Sequence, residues 1–153
     1  MENVYTELYF HFIIAVKGKE NLIPSNKREE IEDYIKNIAK TKSVKILSIF
    51  AMPDHIHILI DSPDTLCLDD IFKLITENSA RYINDNEIFG HNFSWQQKYT
   101  AFSHSRNHLD KVSRFILSQE SFHKTRTFKD EYIEFLDQND IEYDKENLLE
   151  WIE

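Results

Sequence analysis

The stretch MPDHIHILI, residues 52–60, decides the register of a buried strand. Successive side chains on a strand point to opposite faces, so its three isoleucines face a core. His55 and His57 then point together to the other face, roughly 7 Å apart along the strand. Two neutral imidazoles at this spacing can hold one divalent metal ion. A half-buried sheet that tolerates histidine explains the same pattern, and Asp54 is interpreted as a turn residue or as a third ligand.

Hydrophobic periodicity on both sides of this strand predicts an α+β domain. Alternating or β-branched runs predict strands, and apolar residues three and four apart predict helices. The strands are expected at 5–16, 44–52, 55–61 and 98–104, and the helices at 27–41, 68–85, 107–124 and 128–139. This order predicts an antiparallel split-βαβ (ferredoxin-like or RRM-like) sheet with helices on one face.

The composition is that of one globular domain spanning residues 1–153, with an acidic C-terminal tail at about 140–153. The chain has 153 residues, of which 41% are hydrophobic, and no linker or repeat interrupts it. No apolar run approaches the ~18 residues of a membrane span, and the N-terminus lacks the pattern of a signal peptide. The single cysteine, Cys67, excludes an internal disulfide. We therefore expect a cytoplasmic protein without a membrane partner.

The net charge of −9 argues against a nucleic-acid partner until its distribution is considered. Residues 132–153 hold eight acidic residues and one lysine, a net charge of −7, whereas residues 97–129 hold seven basic and two acidic residues, a net charge of +5. A basic segment of this kind can bind phosphates. Two solvated faces of opposite sign explain the same distribution, and charge alone favours that interpretation.

The predicted third helix carries a polar residue on its apolar stripe. Gln119 shares this stripe with the neighbouring apolar positions at helical spacing. A long amide in such a place must find hydrogen-bond partners. Gln119 is expected to bond to the backbone or to complete a metal site, and on spacing alone the backbone is favoured.

Three segments together resemble the HUH single-tyrosine transposases of the insertion-sequence 200/605 family, including the REP-associated relatives. They are MPDHIHILI (52–60), WQQKYTAFSHS (95–105) and VSRFILSQESFHKTRTFKDEYIEFL (112–136). The resemblance begins at YFHFIIAVKGK (9–19) and covers nearly the whole chain, with the motifs in the family's order. It implies that His55 and His57 hold Mg²⁺ or Mn²⁺ and that Gln119 is a further ligand.

The resemblance also implies an activity. In the family, the metal lies against the scissile phosphate of single-stranded DNA beside an imperfect hairpin. A tyrosine one helical turn before the glutamine attacks phosphorus and forms a 5′-phosphotyrosine, which conserves the bond for strand transfer. These DNA transposases usually work as homodimers. The resemblance, together with the apolar first strand, predicts a homodimer here.

The chain departs from the family at the nucleophile. The tyrosine position corresponds to Phe115, whose ring has no hydroxyl and cannot attack phosphorus. Lys98 and Phe122 are two further departures, and neither Tyr99 nor Tyr132 shares the predicted helix face of Gln119. Three functions stay open: an active transposase, a transposase-derived hairpin DNA-binding protein without covalent chemistry, and an α+β protein whose histidines serve structure only.

The DNA surface is predicted from basic and aromatic residues near the family motifs. The predicted set is Lys98, Tyr99, Arg106, Lys111 and Arg114. Trp95 is interpreted as a core or dimer contact. The five histidines without paired spacing are treated as structural or surface residues; they are His11, His91, His104, His108 and His123. The apolar residues of the tail are expected to pack on the domain or on a partner; they are Leu148, Leu149, Trp151 and Ile152.

Overall fold

The computed structural model describes residues 3–151, and it confirms the predicted α+β fold with a split-βαβ sheet. Four antiparallel strands have the order β2-β3-β1-β4. The strands are β1 (Tyr9–Val16), β2 (Lys45–Ala51), β3 (His55–Asp61) and β4 (Trp95–His104). The helices are α1 (Arg28–Lys40), α2 (Leu68–Asp85), α3 (Leu109–Leu117), α4 (Gln119–Phe122) and α5 (Phe128–Gln138). Within residues 3–151, no helix is long and apolar enough to cross a membrane.

The two central strands, β1 and β3, are buried on both faces, which explains why their sequences are so apolar. β1 pairs with β3 on one side and with β4 on the other, with Ile13 opposite His57. The first strand is therefore not an open edge, and its apolar character needs no partner chain. The predicted homodimer stays a prediction that rests on the family resemblance.

Helices α1 and α2 cover one face of the sheet and form the larger core. Phe12, Ile14 and Val16 of β1 point into this core, as do the three isoleucines of β3. Ile35 of α1 and Ile75 of α2 are fully buried against them. Burial of such side chains stabilises the fold by roughly 1.5–3 kcal/mol each. Trp95 is also buried here, as expected for a core residue.

The opposite face is covered as well, by α5 and by the C-terminal segment. Ile13, Ala15 and Phe102 of the sheet pack there against Phe128, Tyr132 and Leu136 of α5. The prediction placed helices on one face only, but Ile13 and Ala15 of β1 and Phe102 of β4 also present apolar side chains on this second face, and α5 buries them. Leu148, Leu149 and Trp151 pack against it, which confirms the expected packing of the tail, whereas Ile152 lies outside the described residues.

The predicted helix at 107–124 is divided into two helices. A 3₁₀ turn at Arg106–His108 leads into α3, which ends at Leu117. Ser118 has φ −98° and ψ 13°, and its hydroxyl donates to the Phe115 carbonyl. α4 begins at the next residue, Gln119. Because of this break, Gln119 is carried on a separate short helix, and its side chain is fully buried.

Candidate metal centre

The two histidines of β3 point to the same side of the sheet, as their i, i+2 spacing predicted. Both are fully buried, and their ring centroids lie 5.0 Å apart. Their Nε2 atoms converge on one carboxylate oxygen, Oε1 of Glu131. The distance to this oxygen is 2.8 Å from His57 Nε2 and 3.3 Å from His55 Nε2.

The structure also brings Gln119 into this cluster. Gln119 Oε1 lies 3.0 Å from His55 Nε2, and Gln119 Nε2 donates to Glu131 Oε2 at 2.8 Å. The amide thus bonds to side chains rather than to the backbone, so the interpretation favoured by spacing alone is wrong. His55, His57 and Gln119 lie together, as the family resemblance implied.

Glu131 and His123 belong to the same cluster, and sequence reasoning did not single them out. Glu131 is 1% exposed. His123 Nε2 lies 3.2 Å from Glu131 Oε2 and 2.9 Å from Gln119 Oε1. A signal for Glu131 was present in the sequence, because Phe128, Glu131 and Phe135 lie on one stripe of α5, and a carboxylate on an apolar stripe requires a partner.

A second ring of contacts orients the two histidines of β3. Asp54 Oδ1 lies 2.6 Å from His55 Nδ1, and His11 Nε2 lies 2.7 Å from His57 Nδ1. Each imidazole is therefore held at Nδ1 while Nε2 faces the cluster, an arrangement common for histidines that bind metals. Asp54 contacts a histidine rather than the centre of the cluster. His11, expected to be structural or a surface residue, is buried on the face of β1 that carries the site.

The electrostatics of the cluster depend on two carboxylates, those of Glu131 and Asp54, and on the protonated His55 between them. Burial alone would raise the pKa of Glu131, but hydrogen bonds from His123, His55 and His57 hold it far below its usual range. Burial alone would lower the pKa of His55, but hydrogen bonds to Asp54 and Glu131 raise it to about 9. Burial lowers the pKa of His57 and of His11, so both are neutral at pH 7.

The donor set fits a divalent metal ion. His55, His57 and Glu131 each offer one ligand atom, and these atoms lie within 4.8 Å of one another. Ligands of an octahedral ion with bonds of about 2.1 Å lie about 3.0 Å apart. The 2.8 Å and 3.3 Å contacts to Glu131 and the 3.0 Å contact between His55 and Gln119 bracket this value. Imidazole donors suit first-row transition metals, whereas Mg²⁺ prefers oxygen donors alone.

Phe115, the nucleophile position implied by the resemblance, lies against this cluster. Its ring centroid is 5.7 Å from that of His57, with the planes nearly perpendicular. The ring is half-buried and borders a cavity that also reaches Glu131. Tyr99 lies on the opposite face of the sheet and its hydroxyl donates to Asp69, whereas the Tyr132 hydroxyl bonds to Thr100.

The residues predicted to bind DNA lie on several surfaces. Lys111 borders the cavity next to Phe115, and Arg114 is exposed on the same helix. Arg106 is paired with Glu7, and Lys98 donates to the Asn147 carbonyl. Tyr99 packs between α2 and β1 on the core side. The role of these five residues in DNA binding stays a prediction, and of the five Lys111 borders the cavity that also reaches Glu131.

Comparison with known proteins gives the family. The model of the IS200-like transposases matches residues 4–119, about three quarters of the chain. The chain belongs to the IS200-like transposase family. The transposase TnpA of ISDra2 from Deinococcus radiodurans is 24% identical over 119 aligned residues, and the alignment covers 74% of this chain and 84% of that protein.

Two solved structures share the fold of this IS200-like protein. A crystal structure assigned as a transposase of Deinococcus radiodurans R1 has a TM-score of 0.59 at 21% identity and covers 78% of this chain and 95% of its own. A REP-associated tyrosine transposase, bound to a REP hairpin, has a TM-score of 0.59 at 11% identity and covers 80% of this chain and 73% of its own.

The family match includes only part of the cluster. His55, His57, Phe115 and Gln119 lie within residues 4–119. Glu131 lies beyond them, in α5. In this member of the family, the carboxylate that meets both histidines therefore comes from a segment outside the matched region.

Proposed function

We propose that this IS200-like protein binds single-stranded hairpin DNA with a divalent metal ion, and that it forms no phosphotyrosine at position 115. The observation that carries the proposal is the juxtaposition of a convergent donor set with a phenyl ring. His55, His57 and Glu131 can hold the ion, and Phe115 lies 5.7 Å from His57 where the family has its tyrosine.

The choice of DNA as partner has two supports besides family membership. One structural relative, the REP-associated tyrosine transposase, is bound to a REP hairpin. The segment 97–129 of this chain carries a net charge of +5, and its Lys111 borders the cavity beside the cluster. Lysine and arginine near such a site neutralise phosphates and position the strand.

Each residue of the cluster has a distinct task in this proposal. A bound divalent ion would supply charge neutralisation at a phosphate oxygen. His55 and His57 hold it through Nε2, while Asp54 and His11 fix the orientation of these rings through Nδ1. Glu131 adds a negative ligand, and Gln119 both faces His55 and holds Glu131 in place.

The ring of Phe115 explains why covalent chemistry is not expected. Strand transfer requires a nucleophile that stores the phosphoester bond, and a phenyl ring has none. Tyr99 lies across the sheet from the cluster, and the Tyr132 hydroxyl is bonded to Thr100. Neither tyrosine lies against His57 as Phe115 does. The active transposase is therefore the second candidate, supported by family membership.

The test is incubation with a labelled hairpin that carries single-stranded flanks, in the presence of Mn²⁺, followed by denaturing electrophoresis. We expect a retarded complex on native gels and no covalent adduct on denaturing gels. Phe115→Tyr adds one hydroxyl to a ring already in place and should yield a covalent adduct. Protease digestion should make this labelled adduct migrate faster, because most of the attached protein is removed.

The matched control is Phe122→Tyr, which adds the same hydroxyl to a half-buried ring 5.3 Å from Phe115 that borders the same cavity. It should give no adduct. An adduct formed by the unchanged protein would refute the proposal and require mapping of the linked tyrosine. Failure to bind any hairpin or single strand would refute DNA as the partner.

A further inference from the structure

A cavity of about 450 Å³ lies beside the metal centre, between α3 and α5. Its volume is in the range of small-molecule pockets, roughly 300–1,000 Å³. Phe115, Phe122 and Phe135 form most of its apolar wall, and His11 and His104 border it from the sheet. Glu131 also reaches it, so the cavity adjoins the proposed metal site.

Two histidines that border this cavity each have one imidazole nitrogen without a hydrogen-bond partner within residues 3–151. These nitrogens are Nδ1 of His11 and Nε2 of His104, and both atoms are buried. His11 is 1% exposed, so solvent water has little access to it. Buried polar groups are nearly always hydrogen-bonded, and one left without a partner destabilises the fold. The pair therefore points to a polar ligand in the cavity.

The aromatic wall limits the shape of that ligand. Phe115 lies 5.3 Å from Phe122 and 5.4 Å from Phe135 between ring centroids, in edge-to-face contacts. Aromatic rings that border a cavity are stacking surfaces for planar groups. A planar, aromatic ligand with a hydrogen-bonding edge matches both the phenyl wall and the two orphan nitrogens.

The rim of the cavity supplies a positive charge. The exposed Lys111 borders it, and the proposed metal site lies next to Phe115. A base attached to a DNA strand would thus have its flanking phosphate near a lysine and near the metal centre. We propose that the cavity receives one unstacked nucleobase of single-stranded DNA, whose edge is hydrogen-bonded by His11 and His104. This inference rests on the proposed function and adds the place on the protein at which one base of the strand is bound.

The experiment is an abasic scan with the full-length protein. A labelled hairpin with single-stranded flanks is titrated with protein and Mn²⁺ by fluorescence anisotropy, with an abasic site placed at each flank position in turn. We expect one position at which loss of the base weakens binding by roughly 10-fold or more. In His104→Phe and in the cavity-filling variant Val112→Phe, this position should lose its sensitivity.

The control is Lys124→Ala, which removes an exposed charge away from the cavity and should keep the sensitive position. Melting temperatures show that each variant is folded. A uniform abasic profile with intact DNA binding would overturn the pocket and leave the proposed function standing, whereas no DNA binding at all would overturn both.

Discussion

Replacement of Glu131 by glutamine tests whether one carboxylate holds the buried histidines. The change keeps the shape of the side chain and removes its charge. The His55 pKa is about 9, which lies about two units above pH 7. This difference corresponds to about 3 kcal/mol of free energy that favours the protonated imidazole. Removing one partner of a buried ion pair costs about 3–5 kcal/mol. Because Asp54 remains beside His55, we expect the lower value, about 3 kcal/mol for the metal-free protein.

This destabilisation should appear as a lower melting temperature and as a changed pH profile. For a domain of this size, about 3 kcal/mol corresponds to a melting temperature lower by roughly 6–12 °C. The His55 pKa is raised from 6.5, so its stabilisation is complete below pH 6.5 and is lost as pH rises through about 9. The Glu131 pKa is lowered from 4.5, so its stabilisation is present above pH 4.5 and is lost as pH falls.

The assay is thermal unfolding of metal-free protein between pH 4.5 and 9.5, followed by circular dichroism. The wild type should lose stability from pH 6.5 to 9, and Glu131→Gln should lose less over the same window, because only the contribution of Asp54 to the His55 pKa remains. Glu134→Gln is the matched control, because Glu134 lies on the same helix but is exposed and pairs with Arg126 on the surface. A surface pair of this kind contributes about 0–1 kcal/mol. Equal melting temperatures and parallel pH profiles for Glu131→Gln and wild type would refute the assignment of Glu131 as the partner of the histidines.

Three further outcomes are expected. Calorimetry should show that Mn²⁺ binds more tightly than Mg²⁺, and that its affinity rises toward pH 9 because His55 must release its proton. The variant His57→Ala should weaken Mn²⁺ binding at least about 10-fold, and affinity that does not depend on His57 would count against the site. Charge reversal of Lys111 and Arg114 should weaken hairpin binding for all sequences. The slope of the logarithm of the binding constant against the logarithm of the salt concentration should fall by about 0.7 for each phosphate that is no longer neutralised, and an unchanged slope would show that these residues lie outside the interface. Sedimentation at micromolar concentration should give twice the mass of the chain, and a monomer would contradict the predicted homodimer.

The regular elements were predictable because their patterns are long and strict. The bounds of β3 and α2 agree with the prediction at both ends. The break at Ser118 was not predictable, because serine is only a weak helix breaker and the interruption depends on where the second layer lies. The position of Tyr99 was missed for a simpler reason. It shares its side of β4 with Ala101, and that side faces the α1–α2 core.

The candidate metal centre was predictable only in the part that is local in sequence. The spacing of His55 and His57 fixes their common direction within a single strand. His11 could have been added by the same rule, because it lies on the face of β1 opposite to Phe10 and Phe12. Glu131 is 74 residues from His57 and meets it only through the packing of α5. Spacing cannot give such a contact, although a carboxylate on an apolar stripe marks the residue as one that needs a partner.

The contacts of α5 explain how a phenyl ring at position 115 fits beside a charged cluster. Phe135 of this helix packs on Phe115 and also contacts His57. Glu131, one turn earlier, accepts a hydrogen bond from His57. The apolar ring therefore meets apolar neighbours, and the imidazoles meet a carboxylate. A hydroxyl at position 115 would need the cavity or a phosphate to satisfy it, at a cost of roughly 1–3 kcal/mol if left unpaired. The phenyl ring at position 115 and the carboxylate brought by α5 therefore fit together beside the two histidines, without a hydroxyl at this position in need of a partner.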